Sequence, residues 1–218
     1  MRPFQRMYDS NGYEVALFPL EEMSISQGEN GQLSHQLTYN IDFLGYVNGI
    51  RVFNCPMYAP VTLKVVSLWD YNGSHTVTFE SVSPVHLANG QIDYLTIGCT
   101  HDNNPPYHTI GDVIQQGNIF YHTGTYGGVT GDHVHMTIGQ GHFGSYILRY
   151  QTPQYYCYDL SNRIHMYDGL YVNDTTILDG EGYDWKTFQG GSPEPPTPTP
   201  TYKHKFPWVL YAENLRKS

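Results

Sequence analysis

Gly131-Asp132-His133-Val134-His135-Met136 is the stretch around which the rest of the chain is read. It places a His-x-His pair inside a run with strand character. Side chains alternate faces along a strand, so His133 and His135 point the same way. Two imidazoles side by side on one face bring no packing benefit. They make sense if one holds a metal and the other works beside it, or if both are satisfied surface histidines; the pair alone does not decide. The approach to it, Gly124-Thr125-Tyr126-Gly127-Gly128-Val129-Thr130-Gly131, is glycine-rich and allows a tight backbone turn.

Outward from this stretch the chain reads as mostly β. It has 218 residues, enough for one domain with a sizeable core. Twenty Tyr, 22 Gly and 14 Pro, with only 14% charged residues, favour short strands broken by turns. Asn48-Gly49 after Phe43 is a hairpin signal, and Asn72-Gly73 and Asn89-Gly90 punctuate alternating runs at Met57–Trp69, His75–Ser81 and Ile92–Cys99. This spacing predicts an antiparallel β-sheet or sandwich. Val15–Leu20 reads as a strand or extended arm followed by a loop. A short helix is expected near Tyr158–His165.

The net charge is −9, and four of the eleven basic residues (Lys203, Lys205, Arg216, Lys217) lie at the C-terminal end. An acidic body argues against nucleic acid as a partner, because phosphate binding needs a basic face. Cys55, Cys99 and Cys157 form no Cys-x-x-Cys and no even set, so three reduced thiols are expected rather than a disulfide framework or thiolate zinc site. The N-terminus is not followed by an apolar signal-peptide core, and no apolar run is long enough to span a bilayer. Synthesis in the cytoplasm of a host, without membrane insertion, is the expected setting. Residues 191–201 form a Pro/Thr-rich linker and 202–218 a short basic tail or the stub of a further module.

Three more residues bear on the histidine pair. His35, Asp42 and His135 are the ligand types that a catalytic zinc site uses, with a fourth position left to water. Such a water is acidified toward pH 7. His133 and His101 are then the imidazoles available for proton transfer or for stabilising an oxyanion.

Taken in order, Ser34-His35…Asp42, Ala59-Pro60-Val61, His101, Ile110-Gly111-Asp112-Val113-Ile114-Gln115-Gln116-Gly117-Asn118-Ile119 and Gly131-Asp132-His133-Val134-His135-Met136 resemble the M23 (LytM/lysostaphin-type) zinc metallopeptidases. The resemblance runs from about residue 30 to 140. It implies an antiparallel β-sheet with a groove and a zinc-dependent endopeptidase that cuts cross-link or stem peptides of bacterial peptidoglycan. It implies one Zn²⁺ per chain on His35, Asp42 and His135, with His101 and His133 as catalytic residues. The absence of a signal peptide suits a phage-encoded enzyme, either a holin-released endolysin or a tail-associated lysin with other tail proteins as partners. The alternative is an inactive relative serving as a wall-binding or virion structural module. A metal-independent carbohydrate-binding sandwich would leave the His/Asp set unexplained.

The chain departs from the family pattern twice. Asp42 follows His35 by seven residues where four are usual, and position 132 is Asp where many members have Pro. His86-Leu87 is a rival for the first catalytic histidine, but His101 lies nearer the expected interval before Gly111. His75, His108, His122, His142, His165 and His204 read as structural or surface residues. Tyr39, Tyr94, Tyr107 and Tyr126 are candidates to line the groove, because aromatic faces suit such ligands, while each taken singly reads first as a core or strand residue. The peptidase domain is expected over residues 1–190, with 143–190 as added strands or a rim of the groove.

Overall fold

The computed structural model describes residues 3–69, 74–104, 107–172 and 176–178. The expected linker and tail, and residues 173–175 and 179–190, lie outside the described residues. In chain order the strands are β1 (Glu22–Gln27), β2 (Ile41–Val47), β3 (Ile50–Arg51), β4 (Pro56–Tyr58), β5 (Leu63–Trp69), β6 (Thr76–Ser81), β7 (Val85–His86) and β8 (Ile92–Asp93). They continue as β9 (Leu95–Thr100), β10 (Val113–Ile114), β11 (Ile119–His122), β12 (Val134–Gln140), β13 (Tyr146–Gln151), β14 (Tyr156–Leu160) and β15 (Thr176–Leu178). The main sheet has the order β10-β5-β6-β9-β12-β2-β1-β15, with β3 added to β2. It is antiparallel except where β15 joins β1 in parallel.

The histidine strand, β12, is central, between β2 and β9. Its apolar residues Val134, Met136 and Ile138 are fully buried, as are Ile41 and Phe43 of β2 and Leu95, Ile97 and Cys99 of β9. These alternate residues face one core, to which the extended arm contributes Ala16, Phe18 and Leu20. Phe18 meets Phe43 edge-on at 5.2 Å, and Phe79 of β6 meets Phe120 at 4.9 Å. The turn between β2 and β3 is the one that Asn48-Gly49 predicts, with φ of 53° and 73°, conformations that Asn and Gly adopt at least cost.

The opposite face of the central strands is polar, and the β13–β14 hairpin covers one end of it. Tyr146 places its hydroxyl 2.9 Å from that of Thr78. Gly98 makes this possible, because a Cβ there would lie 2.3 Å from the Tyr146 oxygen. Thr137 donates to buried Asp159 at 2.6 Å, and Asn40 donates to the Tyr158 carbonyl at 2.7 Å. The helix expected near Tyr158–His165 is therefore not formed. Residues 156–160 pair with β13, and the one α-helical turn among the described residues is α1 (Met166–Gly169), just beyond. Cross-strand pairing and the buried Asp159 override a weak local preference for helix. All three cysteines are buried free thiols.

Phe79 is fully buried among rings from β11. Phe79→Ala is expected to destabilise the fold by about 3–5 kcal/mol, read as a lower urea midpoint with the denaturant slope unchanged.

Candidate metal centre

The sheet register builds the site. His135 lies opposite Asp42 on β2 and opposite Thr100 on β9. Their side chains form one row on the polar face, while Val134, Met136, Ile41, Phe43 and Cys99 beside them enter the core. His101 follows directly on Thr100, and His133 lies two residues before His135. His35 comes from outside the sheet, in a loop closed by a hydrogen bond from the Asn30 N–H to the Thr38 carbonyl at 3.0 Å. Leu37 takes a left-handed conformation within it, with φ of 60°. This compact loop absorbs the seven-residue spacing and returns His35 to the row.

Three ligand-type atoms converge there. Nε2 of His35 lies 3.0 Å from Nδ1 of His135 and 3.2 Å from Oδ1 of Asp42. Nδ1 of His135 lies 3.0 Å from the same oxygen. A tetrahedral zinc with ligand bonds of about 2.0–2.2 Å spaces its ligand atoms roughly 3.3 Å apart, so the triangle fits such an ion closely. The chemistry of the donors agrees. Nδ1 of His35 donates to the Gly28 carbonyl at 3.1 Å, which leaves Nε2 as the lone-pair atom of the neutral ring. A single proton on His135 can be shared with only one neighbour at a time, whereas a cation satisfies all three atoms. His35 and Asp42 are buried. Burial acts to raise the Asp42 carboxyl, but the His35 and His135 imidazoles prevail and hold it well below the usual carboxylate range. It is the ionised, ligating form that the surroundings favour.

The two remaining imidazoles stand beside this triangle. The His101 ring is 4.7 Å from that of His133 and 6.1 Å from that of His135. Each is anchored through Nδ1 to a backbone carbonyl at 2.8 Å, His101 to Tyr126 and His133 to Gly131. Nε2 is thus the free atom of each neutral ring. Nε2 of His133 is 3.7 Å from Oδ1 of Asp42. Burial, followed by repulsion from the His133 and His135 imidazoles, pushes His101 down to about 3, so it stays neutral near pH 7. Its φ is 93°, an unusual conformation for a residue with a Cβ and one that costs about 1–3 kcal/mol. Gly124 permits it. Gly124 is bridged to His133 through two backbone hydrogen bonds, and a Cβ at Gly124 would lie 2.1 Å from the His101 carbonyl.

Asp132, the second departure from the family pattern, is buried. It accepts from Thr123 at 2.6 Å and from the Asn54 N–H at 2.9 Å, tying the His-x-His approach to neighbouring loops. The rival His86 pairs instead with Asp9 at 2.8 Å. Other histidines have partners of their own. His75 bonds the Asp102 carbonyl, His108 the Phe120 carbonyl, His122 Asp102, His142 Glu80 and His165 Glu29. His204 lies outside the described residues.

A cleft of about 380 Å³ runs over the site. Its aromatic wall is Trp69 with Tyr146, Tyr155, Tyr156 and Tyr158 of the β13–β14 hairpin. The four tyrosines considered as candidates for that wall are elsewhere. Tyr39 stacks on His165, Tyr94 packs on His142, Tyr107 packs on His108, and Tyr126 stacks on His75 while lending only its carbonyl to His101. Each is drawn to a nearby histidine, a preference that composition does not reveal. The run Tyr155-Tyr156-Cys157-Tyr158 was the available signal for the true wall. Gln27, which contacts Asp42, carried no sequence signal at all.

No protein-family model matches the sequence. The chain is 34% identical over 179 residues to Morphogenesis protein 1 of Bacillus phage B103, a match covering 82% of this chain and 46% of that protein. It thus spans about half the length of that relative. Among solved structures it is similar to a zinc-containing peptidase from Vibrio cholerae, at 17% identity and a TM-score of 0.40 over 62% of this chain and 40% of that one. It is also similar to the catalytic domain of lysostaphin from Staphylococcus simulans, at 18% identity and a TM-score of 0.39 over 55% of this chain and 80% of that one.

Gly124→Ala is expected to displace the His101 backbone and to cost about 1–3 kcal/mol through steric overlap. Thermal unfolding measures the loss, and the His101 imidazole resonances in a proton–nitrogen spectrum should shift while those of His86 stay in place.

Proposed function

We propose that the chain is a zinc-dependent endopeptidase of the M23 type that hydrolyses cross-link or stem peptides of bacterial peptidoglycan, and that it is encoded by a phage. One observation carries this reading. Three ligand atoms with zinc-like spacing meet at the floor of an open cleft, and two further imidazoles present free Nε2 atoms beside them. A purely structural cluster would need neither the cleft nor the extra imidazoles.

His35, Asp42 and His135 would hold the metal through Nε2, Oδ1 and Nδ1. A bound zinc ion supplies Lewis-acid polarisation of a peptide carbonyl and an acidified water. His101, neutral and fixed by the Tyr126 carbonyl, would orient the attacking water by accepting a hydrogen bond from it on Nε2. His133, when protonated, donates from Nε2 to the oxygen on which negative charge develops. The aromatic wall orients the substrate along the cleft and excludes water from one side of it.

The phage setting is supported by the relative's name, which assigns that protein to morphogenesis, and it favours a virion-borne lysin over a holin-released one. The action would then be on the cell wall, with other particle proteins as partners. Among the described residues, no helix is long and apolar enough to cross a membrane.

Wild-type protein is expected to carry about one zinc per chain and to clear peptidoglycan suspensions. His135→Ala should lose both properties. Equal clearing by wild type and His135→Ala would refute the site. His101→Ala should keep its zinc and lose at least about 100-fold in turnover, measured on defined cross-linked fragments by mass spectrometry.

A further inference from the structure

Gln27 lies at the end of β1, where the pairing with β2 slips by one residue. Ile25 faces Phe43 and Gln27 faces Asp42, with Ser26 as the extra residue of a bulge. Bulges re-aim side chains, and this one turns the Gln27 carboxamide inward, leaving the residue only 4% exposed.

Both polar atoms of that carboxamide engage the surroundings of the metal triangle. Nε2 donates to Oδ2 of Asp42 at 3.1 Å and to Oγ of Ser34 at 2.8 Å. Oε1 accepts from the Ser34 N–H at 3.0 Å. Ser34 immediately precedes His35, and Gly28, which immediately follows Gln27, supplies the carbonyl that fixes His35 Nδ1. Gly31 packs against Gln27 so closely that a Cβ there would lie 2.5 Å from its Cγ. One buried amide therefore touches the segments carrying two of the three ligand atoms.

We propose that Gln27 is the positioning residue of the metal centre. By occupying Oδ2 it turns Oδ1 of Asp42 toward the ion and holds the carboxylate monodentate. By clamping Ser34 at both its N–H and its hydroxyl it fixes the His35 loop at the height of the sheet. This is how a His35–Asp42 spacing of seven residues still delivers a preorganised pair. The inference rests on the metal-centre reading above, and partners at this distance from an ion commonly contribute 10–100-fold in affinity.

The test is the zinc dissociation constant measured by chelator competition on the metal-free protein, with the thermal midpoint of that metal-free form measured in parallel. Gln27→Met keeps the length and removes all three hydrogen bonds. It should weaken zinc binding roughly 10–100-fold. Ser34→Ala removes one of the three and should weaken binding by a smaller factor. Ile25→Val, in the same strand but facing the core, should lower the midpoint and leave zinc affinity alone. A folded Gln27→Met with affinity within threefold of wild type would overturn the proposal, as would an Ile25→Val as impaired in zinc binding as Gln27→Met. If Gln27→Met does not fold, Ser34→Ala decides, and unchanged affinity there counts against Gln27. Absence of zinc binding by the wild type is a different failure: it removes the metal centre itself, and this inference with it.

Discussion

The pairing of β12 with β2 and β9 is the constraint on which the rest depends. Side chains in a sheet have a period of two, so a slip of one residue would send His135 into the core and Met136 to the cleft. The register is locked by the core face. Val134, Met136, Ile41, Phe43, Ile97 and Cys99 must all be buried together, and only one alignment buries them. The polar row of Asp42, His135 and Thr100 is the reverse side of that requirement. Apolar packing thus fixes the geometry of the polar site to within the tolerance of a strand pair.

That row is costly without a cation. An ionised carboxylate and two imidazoles lie within hydrogen-bonding distance under heavy burial, and desolvation of the carboxylate opposes them. The surrounding structure offsets this cost with fixed partners. Gly28 holds His35, Gln27 holds Asp42, and Tyr126 and Gly131 hold the two flanking imidazoles. Each flanking histidine is tied by Nδ1 to backbone rather than to another side chain, so its orientation does not depend on further titrating groups. The positive φ of His101 belongs to the same pattern of local strain held in place by its neighbours.

The β13–β14 hairpin adds a wall to what would otherwise be an open sheet face. Its hold is specific. The Tyr146 hydroxyl occupies space left by Gly98, and buried Asp159 joins Thr137, Arg163 and the Tyr39 N–H. Trp69 packs against Tyr146 and Tyr158 at 5.3 and 5.0 Å. The aromatic surface facing the cleft is therefore anchored from beneath by polar contacts, while Tyr155 and Tyr156 stay exposed along it.

The sequence by itself determined the all-β class, the Asn48-Gly49 turn and the strand character of the His-x-His stretch. These rest on local propensities and short periodicities, which any reader of the chain can count. It also singled out His35, Asp42, His101, His133 and His135, through the resemblance of the segments that carry them to the M23 motifs. Tertiary structure alone decided that the five meet in one place, which of their atoms face inward, and that Tyr156–Leu160 forms a strand rather than part of a helix. It alone brought Gln27 opposite Asp42, through a bulge that no composition signals, and moved the cleft's aromatic wall to Trp69 and the hairpin tyrosines. The physical reason is that register, bulges and loop closure are set by contacts between residues far apart in the chain, and their energies are absent from any local window of it.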